Sequence, residues 1–524
     1  MTRRTHKPRR RRAAATAVTV AGLLAWQVLP AADVRASASA DASSEPAATE
    51  ANEPGEAEPH AAPTATTASD AGPIAAVTPA PIAADSVPDA LAEIDALSAQ
   101  EQWSEAIAPA ELVARYVAEN SGPRSLAYAD ALTRLAELQR RAGDHANAEL
   151  AFAQAIAITE ARSGGLSGRL IEPLQGLGYT YADIEDHARA APVLERTVLT
   201  MRRNRGLFDP TQLEVLQRLA DSQTELGQFE AAEQSLRYRV RVAEQSYGTD
   251  DPRVAGPISE LAAWYSRAAA YEIARSYYRT AIDRVEKGGG AMHLALVEPL
   301  RGLAENSMRA FVFGELVQRD EITSPLSSQA SLMYDQTRDD PRPGNRRRLS
   351  RESEEALERA LAILRTRPEG SSGLTLAATL LQAGDWYLAK GEPDTAHARY
   401  REAWEVSQSD PDVQTALQGV EASDQLLGYP VAIYYPRLGL SARRGLPEVE
   451  TVERYVLTEF TVDADGAVHG IEVVDRDASE RQARDTVAAL ESAIYRPQYV
   501  DGKPVVTTGV RFRDVYPERR SDGA

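Results

Sequence analysis

Cysteine is absent from this 524-residue chain, and that absence removes several kinds of chemistry at once. Without thiols there are no disulfide bonds, no thiol nucleophiles and no cysteine-ligated zinc or iron–sulfur sites. Aromatic residues are also scarce, at 6% of the chain, while hydrophobic residues make up 43% and the mean hydropathy is −0.38. These values are typical of a soluble body rather than a polytopic membrane protein, and the length allows two or three domains.

Recognisable catalytic and metal-binding patterns are missing as well. The seven histidines are scattered, with no two at the spacing that holds a metal ion on one helix face. There is no Gly-Lys-Ser/Thr phosphate loop and no Gly-x-Ser-x-Gly nucleophile turn. We therefore predict a protein that is not an enzyme and that holds no cofactor or metal. We expect His145, His187 and His397 to lie on the solvated surface.

Basic side chains are outnumbered by acidic ones. The chain carries 77 Asp and Glu residues against 58 Lys and Arg residues, which gives a net charge of −19. Removal of residues 1–38 would take away eight basic side chains and one Asp, leaving −26. Because so acidic a surface repels nucleic acids and anionic lipids, we exclude a nucleic-acid partner.

The first 38 residues have the pattern of an export signal. A basic stretch ending at Arg12 precedes an uncharged, Ala-rich segment, and Ala36 and Ala38 suit a signal peptidase. Two interpretations stay open: a cleaved signal peptide, or an inner-membrane anchor formed by residues 13–32. Both predict export to the periplasm. Residues 39–87 are rich in Ala, Pro, Thr, Ser and acidic residues, which predicts a disordered linker.

From about residue 88 the chain repeats itself every 42 residues. The recurring residues are Gly122, Gly164, Gly206, Gly248 and Gly290; Leu132, Leu174, Leu216, Ile258 and Leu300; and Ala136, Gly178, Ala220, Ala262 and Ala304. Leucines three residues apart, followed by a small residue, give one helix an apolar face with a notch. A second helix, with Ala148 and Phe152 four residues apart, can press into that notch. Glycine is expected to close the second helix in a left-handed cap, and the pairs must stack into a solenoid to bury their faces.

This pattern resembles the tetratricopeptide repeat, in the 42-residue form of kinesin light chain. We place the helical array at residues 88–425, with about seven units and an insert at about residues 315–351. The basic run Arg346-Arg347-Arg348 falls in that insert, where we expect a surface loop, and a displaced second helix is predicted over residues 352–366. The resemblance implies an α-solenoid that binds protein or peptide partners.

In tetratricopeptide proteins, certain positions on the first helix of each unit line the concave groove. Carried over to this chain, the acidic residues at such positions are Asp130, Glu137, Glu172, Asp183, Glu214, Asp221, Glu225, Glu298 and Glu305. The opposing arginines are Arg140, Arg141, Arg267, Arg301 and Arg309. The resemblance therefore implies a mildly acidic groove that prefers a basic peptide. The alternative is that the groove is acidic only because the whole protein is.

A different pattern begins near Gly428 and predicts a small β-β-α-β domain over residues 428–518. The sequence predicts strands over 456–462, 468–474 and 505–515, with a hairpin turn at 463–466. A helix precedes the last strand, capped either by Asp477 with Glu480 or by Ser479 with Gln482. Its predicted apolar stripe consists of Ala483, Val487, Leu490 and Ile494.

These residues resemble the C-terminal domain of TonB-family proteins. The match covers about residues 450–516, and its most specific part is Tyr495-Arg496-Pro497 followed by Asp501-Gly502-Lys503-Pro504-Val505. The resemblance implies that an extended segment of an outer-membrane transporter adds to an open sheet edge. We place that edge on the last strand, at Val506, Val510 and Phe512. The same edge could instead serve self-association.

The combined prediction is a mostly α protein. A tetratricopeptide α-solenoid is followed by a small α+β TonB-like domain, and a disordered tether precedes both. The predicted function is that of a TonB-family protein of the bacterial cell envelope that makes protein–protein contacts in the periplasm, with energy-transducer-like coupling to an outer-membrane transporter. The alternative is a soluble periplasmic scaffold without energy transduction. Residues 13–32 contain no ionisable group of the kind used for coupling to a proton-driven motor, which is a point against transduction.

Overall fold

A computed structural model of the chain describes residues 86–318, 343–366, 371–416, 427–435 and 451–519. Within these ranges the protein is a mostly helical solenoid followed by a small domain built on strands. The expected export signal and nearly all of the expected linker, as well as the centre of the expected insert, lie outside the described residues. No helix in the described part of the chain is long and apolar enough to cross a membrane.

The described part of the solenoid is a succession of helix hairpins. Its helices are α1 (Ser86–Ala99), α2 (Trp103–Ser121), α3 (Leu126–Arg141), α4 (His145–Ser163), α5 (Ile171–Asp183), α6 (His187–Arg205), α7 (Gln212–Glu225), α8 (Phe229–Tyr247), α9 (Ala255–Arg267), α10 (Tyr271–Gly289), α11 (Val297–Gln318), α12 (Pro343–Arg365), α13 (Gly373–Lys390) and α14 (Pro393–Ser409). They pack as seven consecutive pairs, and a short helix, α15 (Pro411–Ala416), follows. The array is thus a tetratricopeptide-like repeat solenoid.

The recurring glycines end the second helices of the regular units. Gly122, Gly164, Gly206, Gly248 and Gly290 have φ between 83° and 101° and ψ between 147° and 171°. The predicted left-handed cap is wrong in its detail, because that conformation has ψ near about 47°. The observed region, extended backbone at positive φ, is open essentially to glycine alone. This restriction explains why glycine returns in every regular unit.

The packing between neighbouring units matches large side chains to glycines. A Cβ atom on Gly176 in α5 would lie 2.2 Å from Cζ of Phe152 in α4, and a Cβ on Gly302 in α11 would lie 2.2 Å from Cε1 of Tyr278 in α10. Both pairs are 24 residues apart. The two intervening repeats have Leu194 before Arg218 and Leu236 before Glu260. In these four units, the residue 24 positions after an aromatic side chain is glycine. The residue 24 positions after a leucine has a longer side chain.

The irregular sixth pair corrects the predicted insert. Helix α11 continues to Gln318 and α12 begins at Pro343, so both ends of the segment are helical. The expected loop around Arg346-Arg347-Arg348 is wrong, because these residues lie in the first turns of α12. The guanidinium of Arg346 stacks on Phe311, 4.6 Å from the ring centre, and Arg348 lies 3.4 Å from Glu272. These contacts with α11 and α10 connect the start of α12 to the array.

The C-terminal domain contains more strands than the sequence predicted. They are β1 (Val431–Tyr434), β2 (Thr451–Val462), β3 (Val468–Arg476), β4 (Ile494–Arg496), β5 (Gln498–Val500), β6 (Lys503–Val505) and β7 (Thr507–Arg519), and α16 (Glu480–Glu491) follows β3. β2 is the centre of a three-stranded antiparallel sheet in the order β3-β2-β7. β1 pairs with β4, and β5 pairs with β6.

Two details of this domain differ from the prediction. Ile494, expected on the helix, lies in β4, because α16 ends at Glu491 and the chain turns to pair with β1. Val505, expected to begin the last strand, instead ends β6 of a separate hairpin. Of the two predicted caps, the structure has the reciprocal capping box between Ser479 and Gln482.

The small domain is packed against the end of the solenoid. Leu427, Ile433 and Tyr499 belong to the same cluster of buried side chains as Trp386 of α13 and Tyr400 of α14. The apolar core of the array therefore continues into the C-terminal domain. A separate cluster around Phe460 and Leu490 fills the space between the sheet and α16.

Candidate functional site

The first helices of the pairs form the inner layer of the solenoid. Helices α3, α5 and α7 contact one another in succession, as do α9, α11 and α13, while the second helices α2, α4, α6, α8, α10 and α12 each pack between two first helices. The predicted groove residues all lie on these first helices. The inner layer is therefore the surface on which a binding site is expected.

Many acids of the inner layer are already neutralised by arginines. Arg140 of α3 contacts Asp183 of α5 at 2.5 Å, and Asp183 also contacts Arg218 of α7 at 2.8 Å. Glu137 pairs with Arg140 at 2.9 Å and with Arg141 at 2.6 Å. These contacts form a ladder of alternating charge across three units. The ladder connects neighbouring helices and leaves little charge for a ligand.

The remaining predicted acids divide into two groups. Asp130 pairs with Arg169 at 2.9 Å, and Glu305 pairs with Arg309 at 2.8 Å. Within the described ranges, no ion pair is found for five others: Glu172, Glu214, Asp221, Glu225 and Glu298. Asp221 accepts a hydrogen bond from Gln217 at 2.9 Å. The surrounding protein partly removes Asp221 from water, which raises its pKa, although nearby Arg267 opposes the rise.

A cavity of about 770 Å³ opens in the inner layer between α9, α11 and α13. We call it the inner pocket, and its polar lining includes Ser259, Glu260, Glu298, Arg301, Glu305 and Gln382. Tyr278 and Leu364 contribute apolar surface from the second helices. Two of the predicted acids, Glu298 and Glu305, thus lie in one concave site.

The carboxylates of the inner pocket are not equivalent. Glu260 is paired with Arg239 of α8, and Glu305 with Arg309. Glu298 is open to the groove but is partly surrounded by protein. This partial removal from water raises the pKa of Glu298 to about 7, the neighbouring Glu260 adds to the rise, and Arg239 and Arg301 oppose it. Near pH 7, both the protonated and the ionised form of Glu298 are therefore populated.

Arg301, the arginine of the inner pocket, is held by the side chain of Gln382, which follows the insert in the sequence. The Nε atom of Arg301 donates to Oε1 of Gln382 at 3.1 Å, and Nε2 of Gln382 donates to the backbone oxygen of Arg301 at 2.9 Å. Burial lowers the pKa of Arg301, while Glu305 and Glu298 oppose that effect. These two hydrogen bonds hold Arg301 in place against α13.

A second polar cluster connects the solenoid to the C-terminal domain. Nε and Nη2 of Arg496 donate to the two carboxylate oxygens of Asp385 at 2.8 and 2.5 Å. Tyr400 of α14 also donates to Asp385, at 2.9 Å. Burial by itself lowers the pKa of Arg496, but the Asp385 carboxylate outweighs it, so the pKa lies above its ordinary value. We call Asp385, Tyr400 and Arg496 the domain joint.

His397 lies beside the domain joint, so the expectation that it is a solvated surface residue is wrong. Its side chain is 14% exposed. Its Nδ1 atom is 2.6 Å from the Tyr499 hydroxyl, and its Nε2 atom is 3.2 Å from a carboxylate oxygen of Asp465. Both partners belong to the C-terminal domain. The sequence showed that His397 lies at the start of a second helix. It did not show that the C-terminal domain covers this histidine.

The predicted edge residues lie in or next to β7, which pairs only with β2 among the described strands. Val506 precedes β7 and is 60% exposed, whereas Val510 is buried in the core around Phe460. Phe512 packs on Tyr435, with ring centres 4.8 Å apart. β3 is the other edge of the same sheet. The use of β7 by a partner remains a prediction.

Among the residues of the inner pocket that the sequence-based prediction missed are Ser259, Glu260 and Gln382. Glu260 occupies the repeat position that holds Arg134, Gly176, Arg218 and Gly302 in other units, so the 42-residue register could have placed it there. Gln382 is 81 residues from Arg301, beyond the interrupted unit, and no spacing in the sequence indicates this contact. In the described part of the chain, no group of three or more His, Asp and Glu side chains could hold a metal ion.

Comparison with known proteins gives only structural similarities. No protein-family model matches the chain, and no curated protein matches it. It is similar to BtubC (BKLC) from P. vanneervenii, with 16% identity over 55% of this chain and 93% of that chain and a TM-score of 0.35. A putative kinesin light chain from Podosopora anserina with TPR-like repeats is 17% identical over 47% of this chain and 99% of that chain, with a TM-score of 0.34.

A tetratricopeptide repeat protein from Parabacteroides merdae ATCC 43184 is 14% identical over 64% of this chain and 98% of that chain, with a TM-score of 0.36. All three similarities are partial and have low TM-scores. The description of the array as a tetratricopeptide-like solenoid therefore rests on its own 42-residue repeat and on the packing of its helix pairs.

Proposed function

We propose that the solenoid is a protein-binding scaffold whose inner groove receives a basic segment of a partner protein. The observation that carries this proposal is the set of inner-layer acids without an ion pair in the described ranges: Glu172, Glu214, Asp221, Glu225 and Glu298. They are distributed over α5, α7 and α11, along the length that an extended peptide would cover. Lysine or arginine side chains of such a segment would supply the missing counter-charges. We assign no catalytic step to the protein.

We further propose that the C-terminal domain is of the TonB type and that the protein works in the cell envelope. Three features support this: the export-signal pattern of residues 1–38, the Arg-Pro and Asp-Gly-Lys-Pro-Val motifs, and the position of β7 at a sheet edge. Strand addition at β7 would give main-chain hydrogen bonds to an extended segment of an outer-membrane transporter. The alternative stays open that the protein is a soluble periplasmic scaffold without energy transduction.

The groove is tested with two unstructured peptides of equal length. One carries several arginines separated by glycine and serine, and the other carries citrulline, which has the same shape without the charge. We expect the arginine peptide to bind, and its affinity to fall about tenfold or more between about 0.05 and about 0.5 M salt, because salt screens exposed charges. Fluorescence anisotropy of labelled peptides measures both affinities.

Two variants with equal loss of charge locate the binding surface. The groove variant neutralises Glu172, Glu214, Asp221 and Glu298 by Gln or Asn. The control variant neutralises four exposed carboxylates of second helices: Glu105, Glu111, Glu119 and Glu405. Only the groove variant is expected to lose the arginine peptide. Equal losses in both variants, or an affinity that does not respond to salt, would mean that net charge or apolar contact explains the binding.

The intact mass of the protein from separated membrane and soluble envelope fractions tests the cellular part of the proposal. Retention of residues 13–32 in the inner membrane would support a role in energy transduction. Cleavage between about residues 36 and 40, in a soluble species, is the expected mark of an adaptor. A full-length protein found in neither fraction, but in the cytoplasm, would contradict export itself.

A further inference from the structure

The inner pocket contains a polar group that the protein leaves without a partner. Ser259 is 2% exposed, and its Oγ atom has no hydrogen-bond partner among the described residues. A buried hydroxyl without a partner costs free energy unless water or a ligand completes its hydrogen bonding. Ser259 lines the 770 Å³ cavity, so that missing contact can come from a molecule inside it.

One carboxylate of the same cavity has no salt bridge in the described ranges. Glu260 and Glu305 have Arg239 and Arg309 as ion-pair partners, but none is found for Glu298 in the described ranges. Arg301, one helical turn further along α11, is directed to Gln382 by its Nε atom. Glu298 is therefore the carboxylate of the lining at which an entering cation could form a new salt bridge.

Resting on the proposed function, we propose that the inner pocket receives an arginine side chain of the partner segment, which pairs with Glu298 and displaces its proton. A guanidinium has five N–H donors in a planar fork, enough to reach the carboxylate and the Ser259 hydroxyl together. A lysine ammonium is a compact point charge that holds its water more strongly. The cavity is larger than one side chain, so the adjoining peptide backbone enters with the arginine.

The sign of the pH dependence follows from the charges around Glu298. The titratable or charged groups that face it are Glu260 on α9, Arg239 on α8, Arg301 and Glu305 on α11, and His293 before α11. The pKa of Glu298 is about 7 in the free protein, and a bound guanidinium lowers it. At pH 7, about half of the binding events therefore release a proton. If only the ionised form binds, the affinity is about tenfold higher at pH 8 than at pH 6.

Isothermal titration calorimetry with the arginine peptide tests this directly. Titrations at pH 7 in two buffers with different ionisation enthalpies give the number of protons released, and titrations at pH 6 and pH 8 give the affinity ratio. We expect Glu298→Gln to abolish proton release and to lower the affinity at pH 8 about tenfold. The matched control is Glu111→Gln, which removes an exposed acid of the second helix α2, outside the groove, and should leave both quantities unchanged.

A second variant and a second peptide complete the test. Ser259→Ala should weaken binding a few-fold while proton release persists, because Glu298 is intact. A lysine peptide that binds as tightly as the arginine peptide would overturn the assignment to arginine. Proton release that persists in Glu298→Gln would overturn the role of Glu298, while the proposed scaffold function would stand. If the wild-type protein binds no arginine peptide at low salt, both the role of Glu298 and the proposed scaffold function are contradicted.

Discussion

Replacing Arg496 by alanine is expected to lower the free energy of unfolding by about 3–5 kcal/mol, which is the usual cost of removing one partner of a buried ion pair. The side chains of Arg496 and Asp385 are 9% and 2% exposed. The substitution leaves the Asp385 carboxylate buried with only the hydroxyl of Tyr400 as a side-chain hydrogen-bond partner among those described. Because Arg496 belongs to the C-terminal domain and Asp385 to α13, the loss should also weaken the contact between the two.

Denaturant unfolding followed by circular dichroism measures this effect. The wild-type array and C-terminal domain should unfold together, whereas Arg496→Ala should separate the domain from the array and broaden or split the transition. The matched control is Arg476→Ala, which removes an arginine paired with exposed Glu480 in the same domain. Such a surface pair contributes about 0–1 kcal/mol.

A double variant separates the charge effect from the packing effect. Arg496→Met with Asp385→Leu removes both charges and keeps apolar volume, so we expect it to recover much of the lost stability. A loss below about 1 kcal/mol in Arg496→Ala would show that the domain joint adds little to stability. Equal losses in the single and double variants would mean that the shape of the joint, rather than its charge, holds the domain in place.

Replacing Gly176 by alanine is expected to destabilise the array by about 1–3 kcal/mol, because it overfills a packed core. The new Cβ atom would lie 2.2 Å from Cζ and 2.4 Å from Cε1 of Phe152, whose side chain is 1% exposed. The ring is enclosed by the core of the N-terminal units and has no solvent-facing direction in which to move. Thermal or denaturant unfolding measures the loss.

Comparison of the repeat units indicates which second substitution would relieve the clash between the new Cβ atom of Gly176→Ala and Phe152. Units in which a longer side chain replaces the glycine have leucine in place of the aromatic residue, as in Leu194 with Arg218. We therefore expect Phe152→Leu to recover most of the stability lost in Gly176→Ala, a coupling that a double-mutant cycle measures. The control is Gly256→Ala in α9, where the nearest atom to the new Cβ is 4.0 Å away. It should be neutral or stabilising by up to about 1 kcal/mol.

The helical array was predictable because its information is local and repeated. Each unit carries the same apolar spacing, the same small residues and the same closing glycine, so five copies reinforce one pattern. Where the copies end, the prediction lost accuracy. The start of α12 was assigned to a loop because its arginines lack the apolar period, and their contacts with Phe311 and Glu272 come from other helices.

The sequence predicted the positions of the acids in the candidate site but not their ion-pair partners. The repeat register placed Glu298 and Glu305 on the inner layer, but it could not show which acids have an arginine partner. That depends on side chains from neighbouring units, such as Arg169 beside Asp130 and Arg218 beside Asp183. The same limit applies to Gln382, which reaches Arg301 from beyond the interrupted unit.

The sequence by itself determined the repeat period, the helix pairs and a separate strand-forming unit near the C-terminus. Local apolar periodicity and the positive-φ glycines decide these features, and both act over a few residues. Only the tertiary structure decided which carboxylates stay unpaired, where the inner pocket opens and how Arg496 attaches the last domain to α13. Those features depend on distance and burial between residues far apart in the chain, because the strength of a charge interaction is set by its neighbours and by the water removed around it.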